Sequence, residues 1–177
     1  MKNDEILNIL KEYLDIEDID LDKIPNIDLY IDQVTTFLEY NLEKYKRDKD
    51  QKIITKTMIN NYAKDKILLS PVKKKYNKKQ LISLILIYHL KSIMSITDIG
   101  LILKDSQENI EEIYKQFLIY KEKSNEEFYK NIENFLENMQ ENKDISIDLI
   151  VFLINIINEA NQRKYLAEKI IDLYLKK

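Results

Sequence analysis

The chain predicts an all-α protein, and three observations carry that prediction. Its 177 residues hold one Gly and two Pro, too few turn-formers for a sheet protein. Apolar residues recur three and four apart through most of its length, the period of a helix face. Polar pairs with capping-box spacing stand just ahead of apolar runs: Asn77 with Gln80, Ser95 with Asp98, Ser124 with Glu127.

Asn3 to Tyr13 is expected to form a short amphipathic helix with Ile6, Leu7, Ile9, Leu10 and Leu14 toward a core. The acidic stretch DIEDIDLDKIPN closes on Pro25, which suits the first turn of a second helix. That helix runs from Ile27 to about Tyr45, with Ile27, Ile31, Val34, Phe37, Leu38 and Leu42 on one face. KYKRDKDQK has no apolar period and reads as an exposed loop or frayed helix end. Thr55 or Thr57 then caps a helix with Met58, Ile59, Tyr62 and Ala63 inward, ending before Leu69 and Pro71. Its other surfaces show Lys56, Asn60, Asn61 and Lys64.

Pro71 to Tyr76 is too polar and short for a buried strand pair and is expected to be a loop or small wing. The helix opened by Asn77, Lys78 to Ile93, is apolar nearly all round and should be the buried centre. Ser95 opens a short helix through Ile99, Ile102 and Leu103. Beyond Asp105 three more helices are expected: Ile110 to Tyr120, Phe128 to Met139 after the Ser124 box, and Ile147 to Leu175.

Charge is unevenly spread. The net charge is −3, yet between Lys52 and Lys91 ten lysines face one acid, Asp65, so that segment is +9 and the remainder −12. Such a split favours a polyanion-binding segment in an acidic frame, although lysine-rich surface also serves plain solvation.

Several chemistries are excluded. With no cysteine there is no disulfide, thiolate metal site or cysteine nucleophile, which suits a reducing cytosol. MKNDEILNILKEYL has acids where a secretory signal would be basic and then apolar. The apolar run Leu81 to Leu90, broken by Ser83 and His89, is well short of the roughly 20 residues that span a bilayer. A soluble, cytoplasmic protein is expected. His89 is the only histidine, with no HExxH, glycine-rich phosphate loop or Ser-His-Asp set around it, and it reads as structural. Glu126, Glu127, Glu133 and Glu137 alternate with Lys and Asn like a wet helix face and lack the Glu-x-x-His pattern of a bundle metal site. Tyr114, Phe117, Tyr120, Phe128 and Phe135 could line an effector pocket, but helical spacing favours core packing. No enzyme activity and no cofactor are expected, and the residues do not name an effector.

One order of parts is distinctive: Met58-Ile59-Asn60-Asn61-Tyr62-Ala63, then Lys66-Ile67-Leu68, Pro71, Lys74-Lys75-Tyr76, then Leu81, Leu84 and Ile87, then Ser95-Ile96-Thr97-Asp98-Ile99. This resembles the DNA-binding domain of MerR-type regulators over about Ile53 to Leu103, with Ile27 to Tyr45 in the place of the first helix. It also resembles an uncharacterised bacterial domain-of-unknown-function family with nearly the same TMINNYAK and PVKKKY phrases, itself similar to the MerR type. The resemblance implies a MerR-like winged helix-turn-helix at 27–104. An N-terminal helix and acidic linker would occupy 1–26, and a dimerisation or regulatory helical region 105–177. Asn60 stands where the family has a DNA-contacting Arg, Asn61 where it has Tyr, and Lys66 where it has Gly, so base preference does not transfer. Ile93-Met94 replaces the family's Gly-Phe, which implies a different angle into the last helix of the unit.

In such a reader the second helix enters the major groove while cations hold phosphates. Asn60 and Asn61 can each bond an adenine edge bidentately, and Thr57 could contact a base or cap the helix. Lys56, Lys64, Lys73, Lys74 and Lys75 would neutralise phosphates. The Tyr76 hydroxyl could bond a phosphate, or its ring could pack on Leu81 or Ile59 at the wing base. A homodimer through the apolar C-terminal helix, especially Leu149, Ile150, Leu153, Ile156 and Ile157, would span two half-sites. The expected function is a double-stranded DNA-binding transcriptional regulator. The competing expectation is an adaptor that keeps the helix-turn-helix as a scaffold and binds a protein through its acidic bundle.

Overall fold

The computed structural model describes residues 2–104, 106–138 and 145–176. Among them are the helices α1 (Lys2–Leu14), α2 (Ile31–Leu42), α3 (Lys56–Lys64), α4 (Lys78–Leu90), α5 (Ile96–Lys104), α6 (Ile110–Asn138) and α7 (Ile145–Tyr174). A 3-10 turn follows α2 at Glu43–Tyr45. Two short strands, β1 (Leu29–Tyr30) and β2 (Lys75–Tyr76), pair antiparallel, with Leu29 opposite Tyr76 and Tyr30 opposite Lys75. The protein is all-α with this one minor sheet.

Helix α4 is the centre, as its all-round apolar pattern predicts. Leu81, Ile82, Leu84, Ile85 and Ile87 are at 0% exposure. At about 25 cal/mol per Å² of apolar surface removed from water, each contributes roughly 2 kcal/mol. Its start is the expected capping box: Asn77 Oδ1 accepts from the Gln80 N–H at 3.1 Å, and Gln80 Oε1 from the Asn77 N–H at 2.8 Å. The buried Gln80 side chain also donates to the Leu69 carbonyl at 2.8 Å, which fixes the approach to the hairpin described below. Buried Ser83 closes its hydroxyl onto the Lys79 carbonyl at 3.0 Å, so a polar group at the core costs little.

The acidic N-terminal stretch is pinned down by its apolar residues and by α6. Ile19 and Ile24 are buried, and the fully buried Tyr114 donates its hydroxyl to the Ile19 carbonyl at 2.8 Å. Lys121 reaches Asp18 at 2.6 Å and Tyr45 Oη at 2.8 Å. A second, smaller cluster joins α1, the end of α6 and the start of α7, with Ile132, Leu136 and Phe152 buried and Ile6, Leu7 and Leu10 against them.

Several expectations change. α4 ends at Leu90 rather than Ile93. α2 begins at Ile31 rather than Ile27, and Ile27 is 71% exposed, because Leu29 and Tyr30 are taken by pairing with β2. Pro25 therefore precedes a turn and strand rather than a helix. The Ser124 to Glu127 box starts nothing: α6 runs through it without a break, since no Gly or Pro interrupts the ladder there. In α1, Ile9 is 68% exposed, being off the stripe of Ile6, Leu7 and Leu10. In α7, Ile156 is packed into the second cluster rather than displayed. Met139 lies outside the described residues.

Candidate nucleic-acid interface

Thr55, not Thr57, caps α3: its hydroxyl accepts from the Met58 N–H at 3.2 Å. Thr57 is thereby released, and it is exposed with Lys56, Asn60, Asn61 and Lys64. Their separations of three (57–60, 61–64) and four (56–60, 57–61, 60–64) put them on a single continuous face. Ile59 and Tyr62 anchor the opposite face in the core, where burial raises the Tyr62 phenol above its ordinary range. The long connection from α2 is held by Glu39, which takes Lys46 on one carboxylate oxygen and the Ile53 N–H at 3.2 Å on the other. The Lys46 ion pair holds the Glu39 carboxyl below the usual range. Lys91 donates to the Ile53 carbonyl at 2.6 Å and ties α4 to the α3 entry.

The exit from α3 is a Schellman motif. The Ile67 N–H bonds the Tyr62 carbonyl at 2.9 Å and the Lys66 N–H the Ala63 carbonyl at 3.3 Å. Lys66 occupies the left-handed position, with φ 60°, that glycine fills most cheaply. Gly100 of α5 lets Ile67 come close: a Cβ there would meet Ile67 Cγ1 at 3.1 Å.

A tight hairpin follows. Val72 and Lys75 exchange both backbone bonds, at 3.1 and 3.0 Å, around Lys73 and Lys74. Those two have φ of 50° and 66°, a type I′ turn for which Asn-Gly is the preferred sequence. Among the described residues, the non-glycine positions at positive φ are Lys66, Lys73 and Lys74, and all three are exposed lysines. The left-handed region costs an L residue about 1–2 kcal/mol.

The lysine segment is not uniform. Lys75 is half-buried, its ammonium 5.0 Å from the centre of the Tyr30 ring, its cross-strand neighbour. Lys56 pairs with Asp32 at the start of α2, both well exposed, so that pair is weak. Lys79 donates to the Glu108 carbonyl at 3.1 Å and Lys78 is 4.0 Å from Glu111, both turned to α6. Tyr76 departs from the exposed set: at 2% exposure its ring is part of the core, so the expected phosphate contact gives way to packing. Along α3 the structure displays Thr57, Asn60, Asn61 and Lys64 together, and the exposed Lys66, Lys73 and Lys74 follow in the turn and hairpin after it. Lys66 and Tyr30 were not legible as site residues, since one needs the turn geometry and the other the β1–β2 pairing.

Other candidates resolve as structure. His89 meets Tyr45, Tyr88 and Phe117 ring to ring at 5.2–5.8 Å. Burial, with Lys121 nearby, pushes its pKa down to about 4. The aromatic series divides, with Tyr114 and Phe117 at the main core, Phe128 and Phe135 at the second cluster and Tyr120 exposed. Among the described residues no group of three His, Asp or Glu could hold a metal ion. No helix among them is long and apolar enough to cross a membrane.

Residues 19–132 match a family described as a domain of unknown function, DUF1836, and the chain belongs to that family. The match takes in α2 to α5 and most of α6, and leaves α1 and α7 outside. No curated protein and no solved structure matches the chain.

Proposed function

We propose that this protein is a double-stranded DNA-binding transcriptional regulator without enzymatic activity, built as a MerR-like winged helix-turn-helix. The observation that carries the reading is the placement of lysine at Lys66, Lys73 and Lys74. Each holds a left-handed backbone position where Gly or Asn would cost less, and all three are exposed in the turn and hairpin that follow α3. Stability given up for positive charge beside a helix of Thr and Asn is what a polyanion reader requires. In this reading α3 lies in the major groove, Asn60 and Asn61 read adenine edges, Thr57 adds a base or phosphate contact, and Lys64, Lys66, Lys73 and Lys74 hold phosphates. Lys56 joins them by exchanging Asp32 for a phosphate, and the Val72–Lys75 hairpin acts as the wing.

Selection from random duplex DNA, followed by titration of the recovered pool against salt, tests it. A recovered motif is expected, with a slope of log affinity on log salt of about −0.9 for each neutralised phosphate. Asn60→Ala with Asn61→Ala should erase about 1–3 kcal/mol of discrimination per base. Lys73→Ala with Lys74→Ala should weaken binding to all sequences and flatten the slope by about two units. A folded chain that enriches no sequence and binds duplex DNA only at very low salt sinks the reading.

A further inference from the structure

Helix α7 shows apolar side chains that nothing among the described residues covers. Ile147, Ile150, Ile154 and Ile157 recur three and four apart, the spacing of a single helix stripe, and are 54–60% exposed. Phe152, on the opposite side of α7, is 4% exposed in the second cluster, so the stripe points away from the body as a ridge. Beside it runs an open groove of about 430 Å³ between α1, α6 and α7, lined only by aliphatic and aromatic residues. Ile9 and Tyr13 form its outer wall on α1, at 68% and 57% exposure, and Leu149 and Leu153 its wall on α7.

We propose that this surface is a homodimer interface in which the α7 ridge of each copy enters the groove of the other. A ridge and a groove side by side on one face become mutually complementary under a twofold axis. Charge agrees: from Ile147 to Asn158 the only ionisable residue is Asp148, so two copies meet without a row of like charges. Area agrees as well. With roughly 80 Å² of apolar surface on each half-exposed side chain, the eight of the ridge and the groove walls offer roughly 640 Å², approaching the roughly 800 Å² per partner of a stable interface. That also exceeds the usual largest apolar patch of a monomer. Ridge and outer wall come from the two helices outside the family match, and no residue of α3 or the hairpin lines the groove. The proposal does not depend on DNA binding.

The test is sedimentation velocity of the full chain without DNA, from about 1 to 100 µM. A reversible dimer is expected. Ile154→Glu on the ridge and Ile9→Glu in the groove should each weaken association by at least about 100-fold, with helix content unchanged by circular dichroism because both sites are exposed. A mixture of Ile154→Lys chains with Ile9→Glu chains should regain a mixed dimer, since the ridge of the first meets the groove of the second. A wild-type chain that stays monomeric at about 100 µM overturns the proposal, as does a dimer indifferent to both glutamates. A mixture no better associated than its separate components overturns the ridge-in-groove arrangement.

Discussion

Helices α4 and α7 are both rich in Leu and Ile, yet their side chains meet opposite fates. In α4, Leu81, Leu84 and Ile87 are at 0% exposure, while in α7 Ile147, Ile150 and Ile154 stand more than half exposed. Apolar content does not separate them; what surrounds each helix does. α4 is enclosed, with α5 and α6 against it and the α2–α3 unit completing the core. α7 touches the body through Phe152 and Ile156 near one end and Ala167 and Ile171 near the other. The contrast teaches that the centre of the family-matched block is saturated, whereas the flanking helix leaves one apolar side uncovered by the described residues.

The sharpest way to break this comparison is to cut the same amount of side chain from each helix. Leu84→Ala should remove about 3 kcal/mol of stability in urea denaturation, with a cavity left at the core. Ile154→Ala, measured where the chain is monomeric, should change stability by no more than about 0.5 kcal/mol. Equal losses would mean that α7 is covered within one chain.

The end of α4 offers a second test, through pH. Burial holds the His89 pKa at about 4, while an unfolded histidine titrates near 6.5. Between those values the unfolded chain binds a proton that the folded chain refuses. Stability is therefore complete above about pH 6.5 and falls as pH drops toward 4, by on the order of 2–3 kcal/mol. His89→Gln should flatten that part of the profile in denaturation series at stepped pH. An unchanged profile would mean that the imidazole is solvated and the α4 terminus open.

Smaller effects sharpen the account of the lysines. Lys73→Asn with Lys74→Gly supplies the preferred type I′ residues and should raise stability by about 1–2 kcal/mol while weakening DNA binding. If binding is untouched, the hairpin is not part of the interface. Lys66→Gly should gain about 1 kcal/mol in the same assay by relieving the left-handed turn after α3. A loss would show that the Lys66 side chain contributes packing rather than charge alone.

Periodicity and caps are local, and they were legible. The all-α class, the buried α4, the Asn77–Gln80 box and the exposed face of α3 all follow from residues within a few positions of one another. Ser124 and Glu127 show the limit of local signals: the same spacing that opens α4 lies inert within α6, because an uninterrupted helix already supplies those N–H groups with partners.

What the tertiary structure alone decided is long-range. The pairing of Leu29–Tyr30 with Lys75–Tyr76 shortened α2, buried Tyr76 and set Tyr30 beneath Lys75. Left-handed φ at Lys66, Lys73 and Lys74 is imposed by closing a turn and a hairpin against residues the preference of lysine would not choose. The sequence by itself determined which segments are helices and which faces are apolar, since those depend on spacing along one chain. Which apolar faces are covered, and which cations share one surface, depends on partners distant in sequence, and only the assembled fold brings those together.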